Sequence, residues 1–583
     1  MEKEIKNCQN CKKDFVIEPD DFDFYEKMKV PAPTWCPECQ FMRRLCFRNE
    51  RTLYKRKESK GGKDVISMYS PEKPLTIYTH DDWWSDNWDP LSYGKEYDFQ
   101  KPFFVQFGQL MKEIPWSNLL NFNNVNSDYC NITTGNKNCY LVFGGDFNED
   151  CAYSTFCFYS KNVYDVYWTD KTELCYENID TENSHKLLFS QYSRDSADSS
   201  FIYNGVNLNN CLGCMNLRNK SYCIFNEQYT KEEYLKKLQE FDLGSYSKLQ
   251  EFKNKFNEFK LKFPYKYARI VKSPGSTGNN IQNAKNAINC FDVHGEAEDL
   301  KNAFIVGWGL RDARNVDHAG HKSELVYDSL ATFSNCSRVK LSFMTSSSHD
   351  ITYCYNCHSS NNLFGCVNLR NKSYCIFNKQ YEKEEYEELV SKIIEHMKST
   401  GEYGEFFPID ISLFAYNETI AQEYFPLTKE QALMKGYKWK DPEGKIYKID
   451  IKSENLPDHI KDVGEDIVGK VIECAHKGEC NEQCATAFKI ISEELQFYKK
   501  MNLPLPRFCP SCRHYQRFRQ RSPIKLWHGK CQCAGSSSEN EVYQNTAKHS
   551  HGDGRCPNEF ETSYAPDRPE IIYCEQCYQQ EVA

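Results

Sequence analysis

Residues 209–234 read NNCLGCMNLRNKSYCIFNEQYTKEEY, and residues 361–386 read NNLFGCVNLRNKSYCIFNKQYEKEEY; twenty-one of the 26 positions are identical at an offset of 152. Such self-similarity marks a duplication, and each copy ends a longer repetitive stretch. Short apolar or aromatic runs recur every 10 to 14 residues before the first copy, from Asp128-Tyr-Cys through Asn138-Cys-Tyr, Asp150-Cys-Ala and Leu174-Cys-Tyr to Ser221-Tyr-Cys. A matching series runs from Asn289-Cys-Phe through Asp350-Ile-Thr to Ser373-Tyr-Cys. Strands at such a step could pair antiparallel in a sandwich. The even step, the Asn-rich punctuation suited to left-handed corners, and the recurrence of Cys and aromatics at like positions favour parallel β-solenoids. The expectation is two arrays, over 126–226 and 281–378, each of about four coils with two strands and ~24 residues per coil.

A solenoid needs covered ends. Thr230-Lys-Glu-Glu233 is a capping box that opens a helix running toward Phe263, and Gln380–Lys398 is its counterpart. Cysteines within the arrays (Cys130, Cys139, Cys151, Cys175, Cys223, Cys354, Cys366 and Cys375) read as buried ladder residues, since a free thiol packs as a small hydrophobe. Cys211-x-x-Cys214 is knuckle-like, but Cys211 becomes Leu363 in the second copy, which argues against a shared metal site.

The flanks carry different chemistry. Cys8-x-x-Cys11 is followed by Cys36-x-x-Cys39, and Cys480-x-x-x-Cys484 by Cys509-x-x-Cys512. Phe15, Tyr25, Pro31 and Pro33 recur as Phe488, Tyr498, Pro504 and Pro506 at one offset of 473. Two knuckles of two thiolates each complete a tetrahedral Cys₄ zinc site. Cys474 competes with Cys480 for one ligand position. A third site draws on Cys556, Cys574 and Cys577, with Cys533 taken as the fourth ligand and Cys531 or a histidine among His528, His549 and His551 as alternatives. The expected content is about three zinc ions per chain.

The pattern C-x₂₋₃-C-x₃-F-x₉-Y followed by P-x-P-x₂-C-P-x-C and basic residues resembles a small treble-clef or ribbon-type "probable zinc-binding domain" of uncharacterised bacterial proteins. The tail from Cys556 to Cys577 resembles a second ribbon type. The layout is similar to large multi-ribbon proteins of ultra-small uncultured bacteria. The resemblance covers roughly 5–60 and 470–583 and implies metal binding without a known activity.

Composition frames the rest. The chain has 583 residues, 29 cysteines, 38 Tyr and 37 Phe, and a net charge of −9. Its size predicts several domains, mainly β: a zinc ribbon with basic tail at 1–60, a Trp-rich linker docking on a solenoid at 61–125, the first solenoid at 126–228, a helical cap at 229–263, the second solenoid at 264–378, a helical cap and linker at 379–470, and ribbons at 471–530 and 531–583. MEKEIKNCQN has no apolar signal region and no run reaches membrane-span length, so a cytoplasmic protein with reduced cysteines is expected.

Charge is segregated. Residues 36–63 hold nine basic against three acidic side chains and 507–530 hold seven against none, which leaves −22 for the remainder. Arg43, Arg44, Arg48, Arg517, Arg519 and Arg521 follow the second knuckles and form candidate phosphate-contacting strips for nucleic acid or a ribonucleoprotein. The competing reading pairs them with the acidic middle of the same chain. Trp83, Trp84 and Trp88, interleaved with acids, read as docking the linker onto the first solenoid rather than as a sugar platform. Asp292, His294, Asp317, His318 and His321 form a weak acid–base or metal candidate. No Walker motif, dinucleotide fingerprint, nucleophile elbow or HExxH occurs. A non-catalytic zinc-binding scaffold with a protein or nucleic-acid partner is the leading reading. A β-solenoid enzyme acting on polysaccharide is the alternative and rests on fold analogy.

Overall fold

The fold is mainly β, with about 21 solenoid turns and helices in 23% of the chain; the computed structural model describes residues 2–441 and 447–582. Pairing between coils is parallel. In the first array Thr155 pairs with Tyr167 and Tyr167 with Ile179, a step of 12. In the second array the step is 12 at Gly278↔Cys290 and Ser337↔His349 but 13 at Ala297↔Leu310. The coil is therefore half the expected ~24 residues. The reason lies in the backbone. From Ile132 to Phe225 every third residue has positive φ without a break. Each left-handed residue turns a corner, and four three-residue sides close one coil.

Left-handed backbone costs a non-glycine residue about 1–2 kcal/mol, and here even Phe156, Trp168 and Tyr192 adopt it. It persists because the stacked coils pair the backbone. The corner N–H of Phe156 donates to the Phe143 carbonyl 13 residues back (2.9 Å), and the Thr155 N–H donates to the Val166 carbonyl 11 residues ahead (3.0 Å). The residue after each corner points inward, and its N–H is often taken by an inward side chain one coil earlier. Asn148 Oδ1 accepts from the Ser160 N–H and Ser160 Oγ from the Thr172 N–H, both at 3.1 Å. This explains the inward residue types: Asn136, Cys139, Val142, Gly145, Asn148, Cys151, Ser154 and Cys157 are all small, at every third position, and all buried. On the outside, corner amides stack in ladders, as from Asn289 through Asn302 to Asn315 (2.8 and 2.9 Å).

The duplicated 26-residue stretch is the end of each array. Its last strand turns back antiparallel, pairing Cys223 with Gln228 and Cys375 with Gln380. Asn226 and Asn378 then imitate a further coil. Each side-chain amide accepts the N–H of Met215 or Val367 and donates to the same residue's carbonyl, at 2.8–3.0 Å. Helices Lys231–Leu238, with its Thr230–Glu233 capping box, and Tyr246–Lys260 cover the first end, and helix Lys383–Ser399 covers the second.

The two arrays pack side by side through aromatic corners. Trp168 stacks on His294 (4.0 Å between ring centres), and Phe156 meets His318. The Trp-rich linker docks, but on the second array rather than the first: the Arg370 guanidinium lies over Trp83, Trp84 and Trp88 at 4.8, 5.2 and 5.6 Å. Trp83 is buried and its indole N–H donates to the Pro115 carbonyl (3.1 Å).

Two outcomes follow from this packing. Replacing Asn378 by Ala leaves the Val367 N–H and C=O unpaired in a buried site, which costs about 1–3 kcal/mol per group. Hydrogen exchange at Val367 and its coil should accelerate while exchange in the first array stays unchanged. Separately, burial holds the His294 imidazole down to about 3. A depressed histidine stabilises the fold above the unfolded value near 6.5, and that contribution is lost as pH falls from there toward about 3. The fall of the thermal midpoint across that window should be shallower in His294→Phe than in wild type; equal slopes would exclude His294 as a contributor.

Candidate metal centres

Three thiol clusters form by one local plan. In the first, strands Glu4–Asn7 and Asp14–Ile17 make a hairpin, with Cys8 directly after the first strand and Cys11 before the second. Cys36 is the N-cap of helix Pro37–Leu45, and Cys39 lies in its first turn. In the second, strands Ile472–Glu473 and Ala487–Phe488 carry Cys474 and Cys484, and Cys509 caps helix Pro510–Phe518, which contains Cys512. In the third, strands Trp527–Lys530 and Glu559–Thr562 carry Cys531 and Cys556, and helix Glu575–Val582 starts after Cys574 and holds Cys577. The four sulfurs of each set lie within 4.8 Å of one another. Sulfurs about 3.8 Å apart are what tetrahedral bonds of ~2.3 Å require. Cys11–Cys36 at 3.7 Å, Cys474–Cys512 at 3.8 Å and Cys556–Cys574 at 3.9 Å match.

Two expected ligands are replaced. Cys474, not Cys480, completes the second set, and Cys531, not Cys533, completes the third. The mark of equivalence is a shared hydrogen bond. The N–H of the first helix cysteine donates to the sulfur that follows the first strand, at 3.2 Å in each case: Cys36 to Cys8, Cys509 to Cys474, and Cys574 to Cys531. The hairpin loop between the first two ligands grows from one module to the next, and that growth hid the ligands from a spacing rule. Cys480 sits in the longer loop beside His476, Glu482 and Cys512, and Cys533 sits with His549, His551 and Cys577. His528 stays outside both groups, pairing with Glu559 at 3.1 Å. The array cysteines join no such group among the described residues.

Packed thiols share protons unevenly. Hydrogen bonding from Cys36 pulls the Cys39 thiol down to about 5, and Cys474 pulls Cys484 down to about 6. Thiols that deprotonate this readily are suited to metal ligation.

The arginine strips are not a surface. Arg44, 1% exposed, donates from Nε to Asp317 and from Nη1 to Asp328 in the second array, both at 2.5 Å. Arg43 reaches Glu405 (2.9 Å), and Arg48 reaches Glu50 (2.5 Å). Arg517, which stands 473 residues after Arg44, pairs with Asp165 of the first array (2.8 Å), and Arg513 joins it on the same carboxylate (2.5 Å). Arg521 lies between the arrays, 3.4 Å from Asp180 and 2.8 Å from Asp292. Of the six candidate phosphate contacts only Arg519 is exposed, and it pairs with Glu482. Burial pushes the Asp317 carboxyl up to about 6 in spite of Arg44. The Asp292, His294, Asp317, His318 and His321 set does not gather into a site either: both acids are committed to arginines, and His294 and His321 stack on aromatic rings.

The most enclosed cleft, about 250 Å³, lies where the first array meets the third thiol module. Arg194, Arg218, Lys266 and Arg269 outnumber Asp180 and Glu182 in its lining, which gives it a cationic rather than an acid–base character.

No family model and no curated protein matches the chain. Among solved structures, that of a "putative acetyltransferase from Desulfovibrio desulfuricans G20" aligns over 46% of this chain and 71% of its own, at 9% identity and a TM-score of 0.09, too low to carry an argument.

The ligand assignment separates two single substitutions. Cys474→Ser should lose one bound metal ion per chain by native mass spectrometry, whereas Cys480→Ser should keep the wild-type complement. The reverse result would restore Cys480 to the four-thiolate site.

Proposed function

We propose that the protein is a non-catalytic, zinc-stapled scaffold that binds another protein. In this reading three zinc ions occupy the four-thiolate sets. Each ion fixes the start of an α-helix, and in the first two modules that helix carries buried arginines into a solenoid. The carrying observation is the placement of Arg44 and Arg517, which spends the basic strips inside the molecule. It favours a protein partner over nucleic acid, because few of those cations remain for phosphate and the rest of the chain is strongly acidic. The likeness of the ends to the small bacterial zinc-binding domain belongs to the same reading. A polysaccharide-cleaving site is disfavoured because Asp292 and Asp317 are both held in buried ion pairs.

The outer face of the first array offers the contact surface. Phe147 and Tyr159 are 51% and 58% exposed and stack on each other at 5.2 Å. Affinity-tagged protein from its native host should retain a copurifying protein after nuclease treatment and lose it in Phe147→Ser/Tyr159→Ser, with at least three zinc ions per chain by elemental analysis. Loss of the partner on nuclease treatment would return the reading to a ribonucleoprotein. Fewer than two zinc ions, or iron in their place, would end the zinc reading.

A further inference from the structure

Beside the third four-thiolate set, four more donors converge: Cys533, His549, His551 and Cys577, with ligand atoms all within 4.8 Å of one another. Cys577 belongs to both sets. We propose that this module holds a binuclear zinc centre in which the Cys577 thiolate bridges one ion bound by Cys531, Cys556 and Cys574 and a second bound by Cys533, His549 and His551. The proposal rests on the reading that the thiolate sets hold zinc and adds one ion to it.

The second position is built as a ligand site. His549 Nδ1 lies 2.9 Å from the Cys533 sulfur, and His551 Nε2 lies 3.3 Å from the same sulfur. The far nitrogen of His549 meets Glu581 Oε1 at 2.8 Å, and both side chains are fully buried. Glu581 is itself fixed by the Tyr543 hydroxyl (2.9 Å) and the Thr546 N–H (2.8 Å). A carboxylate that accepts one imidazole N–H leaves the other nitrogen's lone pair facing the ligand position, which is the usual support of a metal-bound histidine. Asn545 Nδ2 donates to the Cys533 sulfur (3.3 Å), and the Tyr573 hydroxyl donates to Asn545 Oδ1 (2.8 Å). The thiol side of the site is thus oriented as well.

The order Cys533–His549–Glu581 is also that of a thiol nucleophile with its base and orienting acid. Two facts exclude that use. Cys533 is 0% exposed, so no substrate reaches its sulfur. A second imidazole, His551, is aimed at the same sulfur, where a nucleophile needs one base and an open side. Two thiolates and two imidazoles make a complete tetrahedral set for zinc, and a second dication offsets the excess negative charge of the four-thiolate site next to it.

Full-length protein loaded with zinc alone decides the matter. Native mass spectrometry should count four zinc ions in wild type and three in the His549→Ala/His551→Ala variant. Zinc-edge X-ray absorption of wild type needs no variant and should show a nitrogen shell at ~2.0–2.1 Å beside the sulfur shell at ~2.3 Å. That nitrogen shell should vanish in His551→Ala. Three zinc ions in wild type and variant alike, or a sulfur-only spectrum, would overturn the binuclear centre while leaving the three four-thiolate sites intact. Fewer than three in wild type would instead count against the zinc reading on which the proposal rests.

Discussion

The molecule depends on buried pairing between arginines of the metal modules and carboxylates of the solenoids. Moving a guanidinium and a carboxylate out of water is expensive, and removing one partner of a buried pair costs about 3–5 kcal/mol because the other is left uncompensated. Arg44 serves Asp317 and Asp328, while Arg513 and Arg517 share Asp165. These pairs form only if the helices that carry them are placed to within fractions of an ångström. The placement comes from Cys36 and Cys509, the N-cap residues of helices Pro37–Leu45 and Pro510–Phe518. A metal ion there acts at a distance: it fixes a helix start, the helix fixes an arginine, and the arginine neutralises a solenoid corner or strand.

The docking is crossed. The N-terminal module holds the second array and the module near residue 510 holds the first, while Arg521 touches carboxylates of both. Glu423 links the two modules, 3.9 Å from Arg51 and 3.1 Å from His514. Neither array can swing away without breaking a buried ion pair at the far end of the chain. The aromatic seam from Trp168 to His294 is thereby kept dry and needs no polar partner for the buried imidazole.

Much of this was written in the sequence at the level of elements. The 152-residue duplication marks the array ends, and its Asn226 and Asn378 supply the amides that close them. The step of 12 was visible, but reading two strands into each coil doubled its size. The deciding signal was a shorter period: small residues at every third position, from Asn136 to Cys157 and beyond, which only a corner at every third residue explains. Cys474 and Cys531 were masked for a different reason. Ligand geometry depends on where a thiol leaves a strand, and a hairpin loop can lengthen without moving its ends, so spacing favoured Cys480 and Cys533. The arginines were legible as a cluster but not as a direction, because local charge does not say which acidic surface lies opposite until the arrays are placed.

Sequence separation then sets an order of assembly. A thiol module closes over some 30 residues, from Cys8 to Cys39 or Cys474 to Cys512, and each coil pairs with one only 12 or 13 residues away. These are local contacts, which form early because little chain entropy is lost in closing them. Arg44 and Asp317 are 273 residues apart, and Arg517 and Asp165 are 352 apart. Such contacts gain little until both surfaces exist. The modules and arrays must therefore mature separately, with their charges still solvated, and the ion pairs lock last. The segregated charge of the chain, basic near each knuckle and acidic between, suits that sequence of events: opposite charges draw the finished parts together, and like charges keep the two arrays apart until Arg521 stands between them.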